Sequence, residues 1–90
     1  RVIKLMTDMS LKLKIVSPEK VEFNGEAEIV KVPGLMGIFE VLSNHAPIVS
    51  ALQEGVVEFV TKDGRKELAI TGGFVEVQKN DVNICVEKAQ

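Results

Sequence analysis

Apolar residues in this chain recur at every second position, and that spacing confines it to β-structure. Leu11, Leu13 and Ile15 alternate with Lys12 and Lys14, the pattern of a half-buried strand. Ser17-Pro18-Glu19 breaks it, and Val21 and Phe23 alternate with Lys20 and Glu22 in a second short strand. Asn24-Gly25 then reads as a tight turn, because both residues tolerate positive φ. Between Glu26 and Val32 the alternation changes phase: Ala27 and Ile29 share one parity, Val30 and Val32 the other. A bulge, or a strand passing from one sheet to another, produces such a change. Pro33-Gly34 closes this segment, Gly37 to Leu42 is short and apolar, and Ser43 to Pro47 forms a loop.

The second half repeats the theme. Ile48 to Leu52 is apolar, Glu54-Gly55 turns, and Val57 and Phe59 alternate through a strand ending near Lys62. Asp63-Gly64 is the clearest hairpin turn, with Arg65 to Thr71 returning. Gly72-Gly73 removes two side chains and allows a kink or a close backbone approach. Val75 and Val77 continue, Lys79-Asn80-Asp81 turns, and Val82, Ile84 and Val86 close the set. Nine or ten short strands at intervals of about 8–12 residues predict an all-β sandwich or barrel. No segment has the period of a long amphipathic helix.

Ninety residues hold one domain, and a 46% apolar share supplies one core. The sequence begins with Arg1 and not Met, whereas Met9-Ser10 directly precedes the first strand pattern in the manner of a natural start. Residues 1–9 therefore read as a leader or a segment added in cloning, and residues 10–90 as the domain. A net charge of −2, with the basic residues scattered, gives no footprint for nucleic acid and no polybasic anchor. No apolar stretch approaches the ~20 residues of a membrane-spanning helix, so direct membrane insertion is not expected.

Candidate chemistry is sparse. Cys85, the single cysteine, lies between Ile84 and Val86 and reads as a small strand hydrophobe. His45 is the single histidine and has no flanking metal ligands. Neither Ser43 nor Ser50 beside it sits in a nucleophile elbow. Gly34-Leu35-Met36-Gly37 lacks the Lys-Ser or Lys-Thr of a phosphate loop, and Gly72-Gly73 precedes a strand instead of a helix. The carboxylates alternate along strands, as on solvated faces. The expectation is a non-enzyme without metal or cofactor. Leu35-Met36-Gly37-Ile38-Phe39 is the unusual stretch: either a buried strand or an exposed apolar patch of the kind that marks a partner surface.

Three blocks, in order, resemble the ε-subunit family of bacterial F-type ATP synthases (δ in mitochondria). They are Leu11 to Gly25, the Asn44-His45-Ala46-Pro47 block through Leu52 followed by Gly55, and Thr71-Gly72-Gly73-Phe74-Val75-Glu76-Val77 continuing to Ile84. The resemblance implies a flattened antiparallel β-sandwich of about ten short strands, in agreement with the strand spacing. It implies a non-catalytic subunit at the foot of the rotating central stalk, on the cytoplasmic face of the bacterial inner membrane. There it couples proton or sodium transport to ATP synthesis. By position, Ser17, His45, Ala46, Pro47 and Ser50 would face the γ subunit. Gly37, Ile38, Phe39 and Glu40 would face the c-ring. Ile38 stands where many relatives carry an acidic residue, and Glu40 where they carry a second Gly. Bacterial members continue into a helical hairpin, and no helical period follows Val82 here; the expectation is a short member or a fragment, without ATP-responsive inhibition of its own. The competing expectation is a free-standing β-sandwich that binds a ligand or peptide, although the chain lacks Trp and Tyr for a carbohydrate platform.

Overall fold

A computed structural model describes residues 10–89; the leader expected over residues 1–9 lies outside the described residues. The elements, all strands, are β1 (Leu11–Val16), β2 (Val21–Ala27), β3 (Ile29–Gly34), β4 (Gly37–Val41), β5 (Ile48–Leu52), β6 (Gly55–Thr61), β7 (Gly64–Gln78) and β8 (Asp81–Lys88). One hydrogen-bonded path, β2-β1-β8-β7-β5-β3-β4, folds over on itself, with β6 joining β3 to β7. The front layer is β2, β1, β8, the second half of β7, and β5. The back layer is β4, β3, β6 and the first half of β7. The sandwich is flat, 45 × 25 × 17 Å.

Three sequence expectations change. About ten strands become eight, because the segments on either side of Gly72-Gly73 run on as one 15-residue β7. It serves both layers, with a register shift between Ile70 and Gly72 at the crossing. The pairing is not antiparallel throughout: β1 lies parallel to β8, since no hairpin joins these strands and none dictates their relative direction. Asn24-Gly25 is not a turn. Both residues sit in the β1–β2 ladder opposite Lys14 and Leu13, and the chain reverses earlier, where the Ser17 amide donates to Lys20 O at 2.9 Å. Ladder pairing along the whole of β1 overrides the local turn preference of this dipeptide.

Other expectations hold. The phase change near residue 28 is the passage from front to back layer: Ala27 ends β2 opposite Leu11, and Ile29 begins β3 opposite Val60. The β6–β7 hairpin expected at Asp63-Gly64 forms one residue earlier, over Lys62-Asp63, with Gly64 at φ 113° already paired opposite Thr61. The alternating residues interlock between the layers. Leu11, Leu13, Ile15, Val75, Val77, Val82, Ile84 and Val86 come from the front, and Val30, Val32, Val41, Val57, Phe59 and Ile70 from the back. Phe23 and Phe59 bridge the layers at one side, ring centres 4.6 Å apart.

Candidate partner-docking face

The two outer faces of the sandwich differ in chemistry. Across the back layer the register aligns Glu40, Lys31, Glu58 and Glu67 in one row. Three of its members are ion-paired: Arg65 from the next row reaches Glu58 at 2.6 Å and Glu67 at 3.4 Å, and Lys31 reaches Glu58 at 4.0 Å. Such exposed pairs contribute little stability, and they make a well-hydrated surface.

Across the front layer the register aligns Val21, Val16, Cys85, Phe74 and Ala51, one from each of five strands. At the ordinary strand spacing this apolar stripe is about 19 Å long. Val21 is 51% exposed and Phe74 49%. Ser17, Pro18 and Glu87 flank a shallow groove over Val16, Phe74 and Cys85. Lys14, Asn83, Glu76 and Val49 form the next row. An exposed apolar row bordered by polar residues is the form of a protein-docking surface.

Local geometry explains why these side chains turn outward. The β1–β2 register shifts at Ile15/Val16, so Glu22 is the extra residue and Val21 lands opposite Val16 instead of facing the core. Sequence alternation had placed Val21 with Phe23 on the inner face; the bulge reverses it. Glu22 is folded in at this edge. Its carboxylate accepts a hydrogen bond from Ser17 Oγ at 2.7 Å and lies 3.5 Å from Lys88 Nζ. The Ser17 hydroxyl, and secondarily the Lys88 charge, outweigh partial burial and hold its pKa below the ordinary 4.5. On β7, the register shift and Gly73 put Val75 and Val77 inside and Phe74 outside.

The residues expected at the γ face form no one cluster: Ser17 and Ser50 lie next to the stripe, and the His45–Pro47 loop lies at the β7–β8 turn, away from it. Ser17 stands beside Val16, with its hydroxyl engaged by Glu22. Ser50 lies on the inner parity of β5 opposite Val75, half-buried, its hydroxyl on Ala51 O at 3.0 Å. His45 belongs to the loop before β5. Its amide donates to Leu42 O at 3.2 Å, and its Nδ1 lies 2.7 Å from Ala46 O. The loop is tied to the β7–β8 turn where the Asn44 amide donates to Asn80 Oδ1 at 2.8 Å. Ala46 and Pro47 are exposed. Val21, Val16, Phe74 and Cys85 were not foreseen at this face; the sequence signals were Phe74, Cys85 and Val16 on the outward parity of their strands.

The residues expected at the c-ring face lie on β4 and its hairpin with β3. Ile38 is 71% exposed, Glu40 is exposed, Gly37 adopts φ 130°, and Phe39 is half-buried against the core. The hairpin tip adds Leu35 and a fully exposed Met36. The stretch is an exposed apolar patch in which only Phe39 turns toward the core. Among the described residues, no group of three or more His, Cys, Asp or Glu side chains converges to hold a metal, and no helix is long and apolar enough to cross a membrane.

A flat sandwich with one charged row and one apolar stripe on opposite faces has the form of a docking domain. Residues 10–90 match the family described as ATP synthase, Delta/Epsilon chain, beta-sandwich domain, and the chain belongs to that family. It is 39% identical over 82 residues to the ATP synthase epsilon chain of Leptospira interrogans, covering 91% of this chain and 65% of that one. It is 42% identical over 82 residues to the chloroplastic epsilon chain of Tetradesmus obliquus, covering 91% and 60%. The chain thus spans somewhat less than two thirds of the length of these relatives. Its fold is shared by a chain of the Euglena gracilis mitochondrial ATP synthase solved with OSCP, F1 and c-ring, at TM-score 0.82 and 21% identity over 90% of this chain and 52% of that one. A chain of the Tetrahymena thermophila central stalk and c-ring matches at TM-score 0.72 and 15% identity, over 87% and 63%.

Proposed function

We propose that this domain is a non-catalytic rotor element of an F-type ATP synthase, held at the foot of the central stalk and peripheral to the membrane sector. It carries torque by rigidity while other chains perform the chemistry of ATP formation and ion passage. The observation that carries the reading is the apolar stripe Val21–Val16–Cys85–Phe74–Ala51 on the front face of a family member whose back face carries a charged row with Glu58 paired to Arg65 and Lys31. In this reading the γ subunit covers the stripe with Ser17 and Ser50 beside it, and extends along β5 to His45, Ala46 and Pro47 in the loop at the β7–β8 turn. The c-ring meets the β3–β4 hairpin through Gly37, Ile38, Phe39 and Glu40.

Support comes from the family, and from the solved relatives of this fold, which belong to central-stalk and c-ring assemblies. The test is co-expression with the γ subunit of the same organism, followed by size-exclusion chromatography. The wild-type chain co-elutes, and Phe74→Lys weakens the complex about tenfold or more, as expected of a central contact. Phe74 is half exposed, so the variant stays folded. A wild-type chain that elutes alone would overturn the reading in favour of a free-standing ligand- or peptide-binding module.

A further inference from the structure

The hairpin that carries the c-ring face is fastened to the strand that ends the γ face. The Leu35 amide donates to Ala51 O at 3.1 Å, the Gln53 amide to Pro33 O at 2.9 Å, and the Gln53 side-chain amide to Gly34 O at 2.9 Å. Gly34 itself pairs with Leu52 and with Gly37. A Cβ at Gly34 would lie 2.9 Å from both Gly37 O and the Phe39 ring, so the packing at this corner depends on its absence. Ala51 is the last member of the front stripe. Leu35, bonded beside it and 59% exposed, is the next apolar side chain in line, and Met36 and Ile38 continue the surface around the tip. No ionisable side chain occurs from Pro33 to Phe39.

We infer that the two docking patches are one continuous apolar surface, and that Leu35 is a contact residue for both partners. The inference rests on the reading above, in which the stripe takes γ and the hairpin takes the ring. The three hydrogen bonds leave the hairpin no independent swing relative to β5, so a partner seated on the stripe reaches Leu35 from one side and a partner on the tip reaches it from the other. Each partner removes from water the part of Leu35 that the other leaves wet. Burial of this side chain is therefore divided between the two partners, and its loss weakens both contacts.

The test uses the chain with purified γ-containing F1 lacking this subunit, and with the detergent-solubilised c-ring, each affinity measured by biolayer interferometry. Val21→Lys, at the far end of the stripe, should weaken only the F1 complex. Ile38→Lys should weaken only the ring complex. Leu35→Lys should weaken both, each about tenfold, with Leu35→Ser giving smaller losses in the same two assays. Circular dichroism should show all four variants folded, since the three side chains are largely exposed. Loss of only one affinity in the Leu35 variants would overturn the shared contact while the Val21 and Ile38 results still upheld the two-partner reading. If Val21→Lys left F1 binding and Ile38→Lys left ring binding unchanged, that reading and the inference would both fall.

Discussion

Replacing Gly73 with Ala should be among the most damaging single-methyl changes in the molecule. Gly73 adopts φ 146°, a conformation that side chains rarely tolerate, and holding a non-glycine there costs about 1–3 kcal/mol. The added Cβ would also run into the Cys85 carbonyl, with Val86 Cα only 3.0 Å away. Relief requires β7 and β8 to part around the Gly73↔Val86 and Phe74↔Cys85 pairs, and each ladder bond lost there costs about 1 kcal/mol. The sum is about 3 kcal/mol or more, a large share of the 5–15 kcal/mol available to a typical domain. For a domain of this size it corresponds to a fall in Tm of about 12–24 °C. Gly72→Ala is the internal control: its Cβ would meet only Leu52 O at 3.9 Å and Glu87 Oε1 at 4.0 Å, which is ordinary contact. Urea denaturation of both variants, with thermal melts alongside, checks the contrast. A loss below about 1 kcal/mol for Gly73→Ala, or equal losses at the two positions, would refute the steric reasoning; the expected destabilisation for Gly72→Ala is below about 1 kcal/mol.

Two further outcomes follow from the edges of the front layer. Because the Glu22 pKa is lowered in the folded chain by Ser17 and Lys88, its contribution to stability is present above the unfolded value, about 4.3, and is lost as pH falls through the folded value. Ser17→Ala should therefore be destabilised relative to wild type near neutrality, with the gap shrinking as carboxylates protonate; denaturation curves from pH 7 to pH 3 test this, and a gap that widens toward acid would contradict it. Asn80→Ala removes the acceptor of the Asn44 amide, at a cost of about 0.5–1 kcal/mol for an exposed bond. Amide exchange at Asn44 should quicken while exchange at the core amides of Val75 and Ile84 hardly changes; unaltered exchange at Asn44 would show that the loop carrying His45 is held by other contacts.

Much of the fold is legible from local spacing. Leu11, Leu13 and Ile15 announce an inward face because side chains in a strand alternate, and Val57 with Phe59, and Val82 with Ile84, do the same. The phase change at residues 26–32 and the Gly72-Gly73 pair mark two of the places where the chain passes between layers, because each breaks the local rule that a regular strand obeys. The family blocks are legible too, since they are runs of adjacent residues.

The docking face is another matter. Val16, Val21, Ala51, Phe74 and Cys85 are scattered along the sequence, and each taken alone is unremarkable. They become one stripe through the register of four strand pairs, among them a parallel pair that no turn dictates. The bulge at Glu22 that turns Val21 outward, and the hydrogen bonds that set Leu35 beside Ala51, are likewise consequences of strands already in place. The sequence by itself determined which residues lie in strands and most of the core, because alternation is a property of neighbours along the chain. Only the tertiary structure decided which outward side chains stand next to one another, because register between distant strands is set by the packing of the whole core and not by any local spacing.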